Sequence, residues 1–148
     1  MGNIERYVAY TTAFEEAYAS DDWFRLEPFF TEDAVYEFSA PAPFGGKYEG
    51  RAAVLAQFKN SVNSFDRRFD SRAIEVLEDP SEKDGGVWIR WATIYTLAGA
   101  PDCRIEGEEH AVFAGDRIRQ LTDSITEVEA GRVGAYFAQH GAKLKPVK

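Results

Sequence analysis

Two acidic residues on neighbouring segments of this chain occupy positions where charge is costly. In IRQLTDSITE, residues 118–127, strand alternation puts Leu121, Asp123 and Ile125 on one face and Gln120, Thr122, Ser124 and Thr126 on the other. Asp123 thus shares the inward, apolar face, where an unpaired carboxylate is unfavourable. The preceding segment RIEGEEHAVF places Ile105, Gly107, Glu109, Ala111 and Phe113 on a common face, so Glu109 points inward as well. A three-residue loop AGD sets Phe113 opposite Arg117 and Glu109 opposite Leu121. Glu109 and Asp123 are then diagonal neighbours, with Gly107 facing Asp123 and leaving open volume beside it. A two-residue loop instead pairs Glu108 with Asp123 and turns Glu109 to the other face; the first register is preferred because it keeps the apolar residues of both strands together. Two carboxyls in an apolar pocket suit proton transfer. Burial raises a carboxyl pKa and a like charge raises one of the pair further, so one acts as acid while the other acts as base. The plain alternative is a carboxylate paired with an arginine or a backbone donor, or placed at the wet end of a strand.

Holding such a pair requires a sheet with one covered face. Ile4, Tyr7, Val8, Thr11, Phe14 and Tyr18 recur at helical spacing, with Asn3 as the expected cap. SDDW offers Asp21 or Asp22 as the cap of a second, short helix that Pro28 kinks or shortens. A strand is expected over 34–40, then a Pro/Gly-rich mouth loop, PAPFGGK, then a helix over 51–66. The period next switches to two, and strands are expected over 72–77, 87–97, 103–113 and 118–127. A final helix over 128–140 ends at Gly141, read as a left-handed cap. The order αα-β-α-ββββ-α describes an α+β fold, helices over one face of a curved, mostly antiparallel sheet, with residues 1–148 forming one domain. Val87, Ile89, Trp91, Thr93 and Tyr95 share the inward face, and Trp91 is expected to line the pocket.

Composition narrows the partners. A formal net charge of −8 with scattered Lys and Arg disfavours nucleic acid and anionic membrane. One cysteine, Cys103, excludes an internal disulfide, and no run approaches a transmembrane span, so a cytoplasmic protein is expected. Two distant histidines give no metal-ligand spacing, and neither a metal nor an organic cofactor is expected. His110 lies on the face opposite Glu109.

The succession FFTEDAVYEF, GGKYEGRAAVLAQF and GEEHAVFAGDRIRQLTDSITE resembles the nuclear transport factor 2-like superfamily, and within it the SnoaL-like polyketide cyclase and ketosteroid isomerase-like domains. The resemblance implies a conical barrel, a curved sheet and helices around a pocket, and dimerisation through the sheet. It assigns Asp123 to the acid/base aspartate of the cyclases. It sets Glu109 near the protonated acid that helps bind the oxyanion in the isomerases. The isomerase base position carries Phe38 and its oxyanion tyrosine position on the first helix carries Phe14, which argues against steroid isomerisation. No Asp-Arg-Asp network of the epoxide hydrolase type aligns. Tyr36 and Phe38 then face the pocket with Phe14, Trp91 and Leu121, and Tyr36 is placed to hydrogen-bond a substrate carbonyl. The expected activity is acid/base chemistry without cofactor on a hydrophobic, carbonyl-bearing small molecule, by a cyclase, isomerase or dehydratase. The alternative is a hydrophobic-ligand-binding or dimeric interaction module. Trp88, Ile94 and Val112 on the outer sheet face are the expected dimer patch.

Overall fold

The computed structural model describes residues 2–147; Met1 and Lys148, the ends of the expected domain span, lie outside the described residues. Helix α1 (Asn3–Ser20) buries Tyr7, Tyr10 and Ala17. Its amino-terminal cap is Gly2 without a side-chain hydrogen bond, so Asn3 sits inside the helix instead of capping it. Asp21 closes α1 in a left-handed conformation, φ 60°, with its N–H donating to the Ala17 carbonyl at 2.8 Å. Its carboxylate accepts from Trp23 Nε1 at 2.8 Å, fixing the chain reversal that follows. The expected second helix is a 3-10 helix, Trp23–Phe29, with Pro28 at its penultimate position.

Strand β1 (Phe30–Ser39) pairs with a strand absent from the sequence reading, β2 (Gly46–Glu49), which takes up the end of the expected mouth loop. Four residues are too few to establish a period. Helix α2 (Arg51–Ser64) buries Val54, Leu55, Phe58 and Val62. Strand β3 (Ser71–Lys83) runs well past its expected end, and only Asp84 and Gly85 form the turn, both with positive φ as a two-residue hairpin requires. Pro80 is tolerated there because β3 is an edge strand. Strands β4 (Gly86–Thr96), β5 (Cys103–Ala114) and β6 (Arg117–Ser124) complete a six-stranded sheet in the order β2-β1-β6-β5-β4-β3. All pairings are antiparallel except β1 with β6. The sheet remains open, with β2 and β3 at its edges.

β6 is shorter than expected. Thr126 begins helix α3 (Glu127–His140), its Oγ accepting from the Glu129 N–H at 3.2 Å. The string TEVE is a capping box in sequence, Thr followed three residues later by Glu, and it outweighs the strand pattern at residues 125–127. Gly141 is not a left-handed cap: its φ is −57°, and the chain continues into a 3-10 turn, Gly141–Lys143.

The core forms two clusters. One packs Tyr7, Tyr10, Phe30, Phe58, Ile118 and Leu121 between α1, α2 and the sheet. The other packs Phe69, Tyr95, Cys103, Ile105 and Ile125 beneath Ala130 and Val133 of α3. The outer sheet face carries Trp88, Ile94 and Val112, each half-buried. They are interleaved with ion pairs, Arg90 to Glu78 at 3.1 Å and Arg104 to Glu75 at 3.0 Å, so this face is a mixed surface and not a continuous apolar one.

Candidate active site

The β5–β6 hairpin combines two features that the sequence reading treated separately. The connection has two residues, with Ala114 opposite Arg117. Between Phe113 and Val112 the register then slips by one: Phe113 faces Ile118, but Val112 faces Gln120, leaving Arg119 as an extra residue in β6. A two-residue turn alone would have sent Glu109 to the wrong face; the bulge restores it. Glu109 therefore stands directly opposite Asp123, which corrects both expected registers, the diagonal one and the Glu108 pairing.

Strand order sets the surroundings of this pair. β6 lies between β1 and β5, so one row across four strands reads Phe38, Asp123, Glu109, Ile89. One step along, Trp91 faces Gly107. The volume above Gly107 is not open, as expected from sequence, but filled by the Trp91 indole: a β-carbon there would meet Trp91 and the Ser124 carbonyl, both at 2.6 Å. Because one obstacle is backbone, Gly107→Ala should destabilise the protein by about 1–3 kcal/mol. A chemical denaturation midpoint equal to that of the parent protein would show that the indole moves freely.

Hydrogen bonds bind the pair into a chain. The Tyr7 hydroxyl on α1 donates to Glu109 Oε1 in a short contact. The Tyr36 hydroxyl on β1 donates to Asp123 Oδ2 at 2.9 Å. Burial, then the adjacent Asp123 charge, pushes the Glu109 carboxyl well above the usual carboxylate range. Asp123 is also raised by burial, but hydrogen bonds from Glu109 and Tyr36 and the nearby Trp91 N–H oppose that effect. Of the two, Glu109 is pushed further towards the protonated form. Trp91 Nε1 is buried and makes no well-formed hydrogen bond, yet it lies close enough to Asp123 to favour the charged form. Among the described residues no lysine or arginine pairs with either carboxyl. Burial keeps the Tyr7 phenol far from ionisation, so it acts as a neutral donor.

Both carboxyls are half-buried and open into a cavity of about 720 Å³. Tyr36, Phe38, Phe14 and Trp91 line it. Leu121 does not: it is fully buried in the core beneath the strand row. Tyr36 points inward, but its hydroxyl is committed to Asp123, so it orients that carboxylate instead of meeting a substrate carbonyl. His110 lies on the outer face and contacts the Lys83 carbonyl at 2.8 Å. Tyr7 was legible only as part of a helical stripe; its two-turn offset from Phe14 on the same face was the available signal. Val8, Ile74 and Val76 are exposed, and all three line the cavity between α1 and β3.

Comparison with known proteins agrees with this architecture. A family model described as a SnoaL-like domain matches residues 11–133. No curated protein sequence matches the chain. Among solved structures, TerC co-crystallised with polyporic acid is similar at TM-score 0.66 and 10% identity, covering 90% of this chain and 98% of its own. A nuclear transport factor 2-like protein of unknown function from Burkholderia pseudomallei is similar at TM-score 0.64 and 16% identity, covering 89% and 97%. A protein with a ketosteroid isomerase-like fold from Catenulispora acidiphila, in complex with trimethylamine, is similar at TM-score 0.60 and 16% identity, covering 93% and 94%.

Proposed function

The chain belongs to the SnoaL-like domain family, and from that premise we propose that it is an acid/base enzyme acting on a hydrophobic, carbonyl-bearing small molecule. The observation that carries this reading is an adjacent carboxyl pair, with no lysine or arginine beside it among the described residues, at the wall of a largely apolar cavity. A structural carboxylate would be expected to sit against an arginine with no cavity beside it. Here Asp123 is the base that removes an acidic proton next to the substrate carbonyl. Glu109 holds the proton that this chemistry requires elsewhere, and Tyr7 can restore polarity to Glu109 as it donates. Isomerisation, cyclisation and dehydration all begin with such a step, so lyase and isomerase activities both follow from it. The fold neighbours crystallised with polyporic acid and with trimethylamine support a small-molecule occupant. Among the described residues no helix is long and apolar enough to cross a membrane, and a single cysteine suits a cytoplasmic setting.

The test is independent of the natural substrate. Apolar ketones are incubated with the protein in D₂O, and exchange of the hydrogens beside the carbonyl is followed by NMR. Catalysed exchange that disappears in Asp123→Asn is the expected result. Exchange at the buffer rate for every ketone tried would leave the pocket a binding site only, the second reading of this fold.

The reading includes a homodimer built on the outer sheet face, with Trp88, Ile94 and Val112 at its centre and the Arg90 and Arg104 ion pairs around them. Light scattering at micromolar concentration should give about twice the 16.6 kDa chain mass. A mass of one chain would remove the dimer from the proposal without touching the site.

A further inference from the structure

A second polar cluster lines the same cavity away from the carboxyl pair. Arg72 of β3 holds Asp66 at 3.3 Å through Nε, and Glu15 of α1 at 2.9 Å through Nη1 and 3.2 Å through Nη2. Tyr95 of β4 donates to the same Asp66 oxygen at 3.1 Å. The Arg72 and Asp66 side chains are only 10% and 11% exposed, so they are held in place by packing and not left on the surface. Burial, partly offset by Arg72, pushes the Asp66 carboxyl up to about 6.

Two independent rulers place this cluster relative to the first. On α1, Tyr7 bonds Glu109 and Glu15 bonds Arg72; eight helical positions between them are a rise of about 12 Å. On β4, Ile89 stands in the Asp123–Glu109 row and Tyr95 bonds Asp66; six strand positions are about 20 Å. The cavity wall also includes Phe14, Phe58, Ile74 and Thr93, and Thr11 lies on α1 midway between Tyr7 and Glu15.

The second cluster has hydrogen-bonding capacity to spare. Each terminal nitrogen of Arg72 carries two N–H groups and spends one on Glu15. Two carboxyls face one guanidinium, so an anion is repelled, while a hydroxyl both accepts from Arg72 and donates to a carboxyl oxygen. We propose that Asp66, Arg72 and Tyr95 form a distal subsite, and that the substrate is an elongated, flat, apolar ketone bearing a neutral hydroxyl or phenol. Subtracting a hydrogen bond of about 3 Å at each end puts that hydroxyl roughly 6–14 Å from the reacting carbonyl. This deepens the acid/base reading and rests on it for the identity of the carbonyl end.

The test uses 6-hydroxy-2-acetylnaphthalene, its 6-methoxy counterpart and its 6-carboxylate counterpart, with affinities measured by calorimetry. The hydroxyl compound should bind the parent protein about tenfold more tightly than the methoxy compound, which accepts but cannot donate. The carboxylate should bind most weakly. Asp66→Ala should bring the hydroxyl and methoxy affinities within about twofold, whereas Asp123→Asn should keep their ratio. Equal affinities for the parent protein overturn the subsite, as does a hydroxyl preference that survives in folded Asp66→Ala, or no saturable binding of either naphthyl ketone. If Asp66→Ala does not fold, the comparison on the parent protein still decides. A retained hydroxyl preference without proton exchange defeats the catalytic reading and leaves the subsite; exchange without the preference does the reverse.

Discussion

Asp123→Asn is expected to lower proton-transfer turnover by about 10²–10⁴-fold, the usual contribution of a positioned acid or base. The substitution keeps the size of the side chain and its place in the Phe38-Asp123-Glu109-Ile89 row, so affinity for substrate should change much less. Tyr36 can still donate to the remaining oxygen, as it now does at 2.9 Å. The new amide can donate to Glu109, which loses the neighbouring charge that now helps hold its proton. Stability should therefore hold or rise, because a buried charge without a cation partner has been removed. Initial rates and melting temperature on the same variant separate the possibilities. A clear drop in melting temperature with unchanged turnover would make Asp123 a structural group and end the catalytic assignment.

The protein should also become more stable as the pH falls from 7 towards 5. Asp66 has an ordinary pKa of 3.8 and is pushed to about 6 in the fold. Between those values the folded chain binds a proton that the unfolded chain has released. Stability therefore declines as pH rises through this window and is recovered on acidification. At neutral pH the ionised Asp66 costs up to about 3 kcal/mol by this linkage. Glu109 and Asp123 are displaced in the same direction by burial, so the carboxyl pair adds to the trend. Asp21, which accepts from Trp23, and Asp70, which accepts from the Ala98 N–H, lie below their ordinary values. Their contribution is present above the ordinary aspartate pKa and is lost below it, so the gain should reverse under stronger acid. Melting temperatures from pH 8 to pH 3 should trace a maximum near about pH 4, with a flatter curve in Asp66→Asn. A steady fall from pH 7 to pH 5 would mean that these carboxyls are ionised and paired.

What sequence alone could settle follows from period and parity. Alternation along residues 87–95, 105–113 and 121–125 is a local property, so the inward set Val87, Ile89, Thr93 and Tyr95 was readable, and so were Glu109 and Asp123 as inward carboxylates. The α+β class and the family resemblance rest on the order of these periods, and the six-stranded sheet and the SnoaL-like match agree with them. Pairing depends instead on contacts between strands. The bulge at Arg119 shifts the register by one residue without changing the residue pattern, so the direct Glu109–Asp123 opposition was not readable from either loop length. Tyr7 became a site residue only because α1 packs across the sheet and brings its hydroxyl to Glu109, 102 positions away. Leu121 shares a strand face with Asp123 but lies in the core, since curvature and the covering helices decide which inward side chains meet open space. Asp66, Arg72 and Tyr95 lie on three separate elements, each unremarkable in sequence; only tertiary packing desolvates them together and turns ordinary surface residue types into a buried polar cluster.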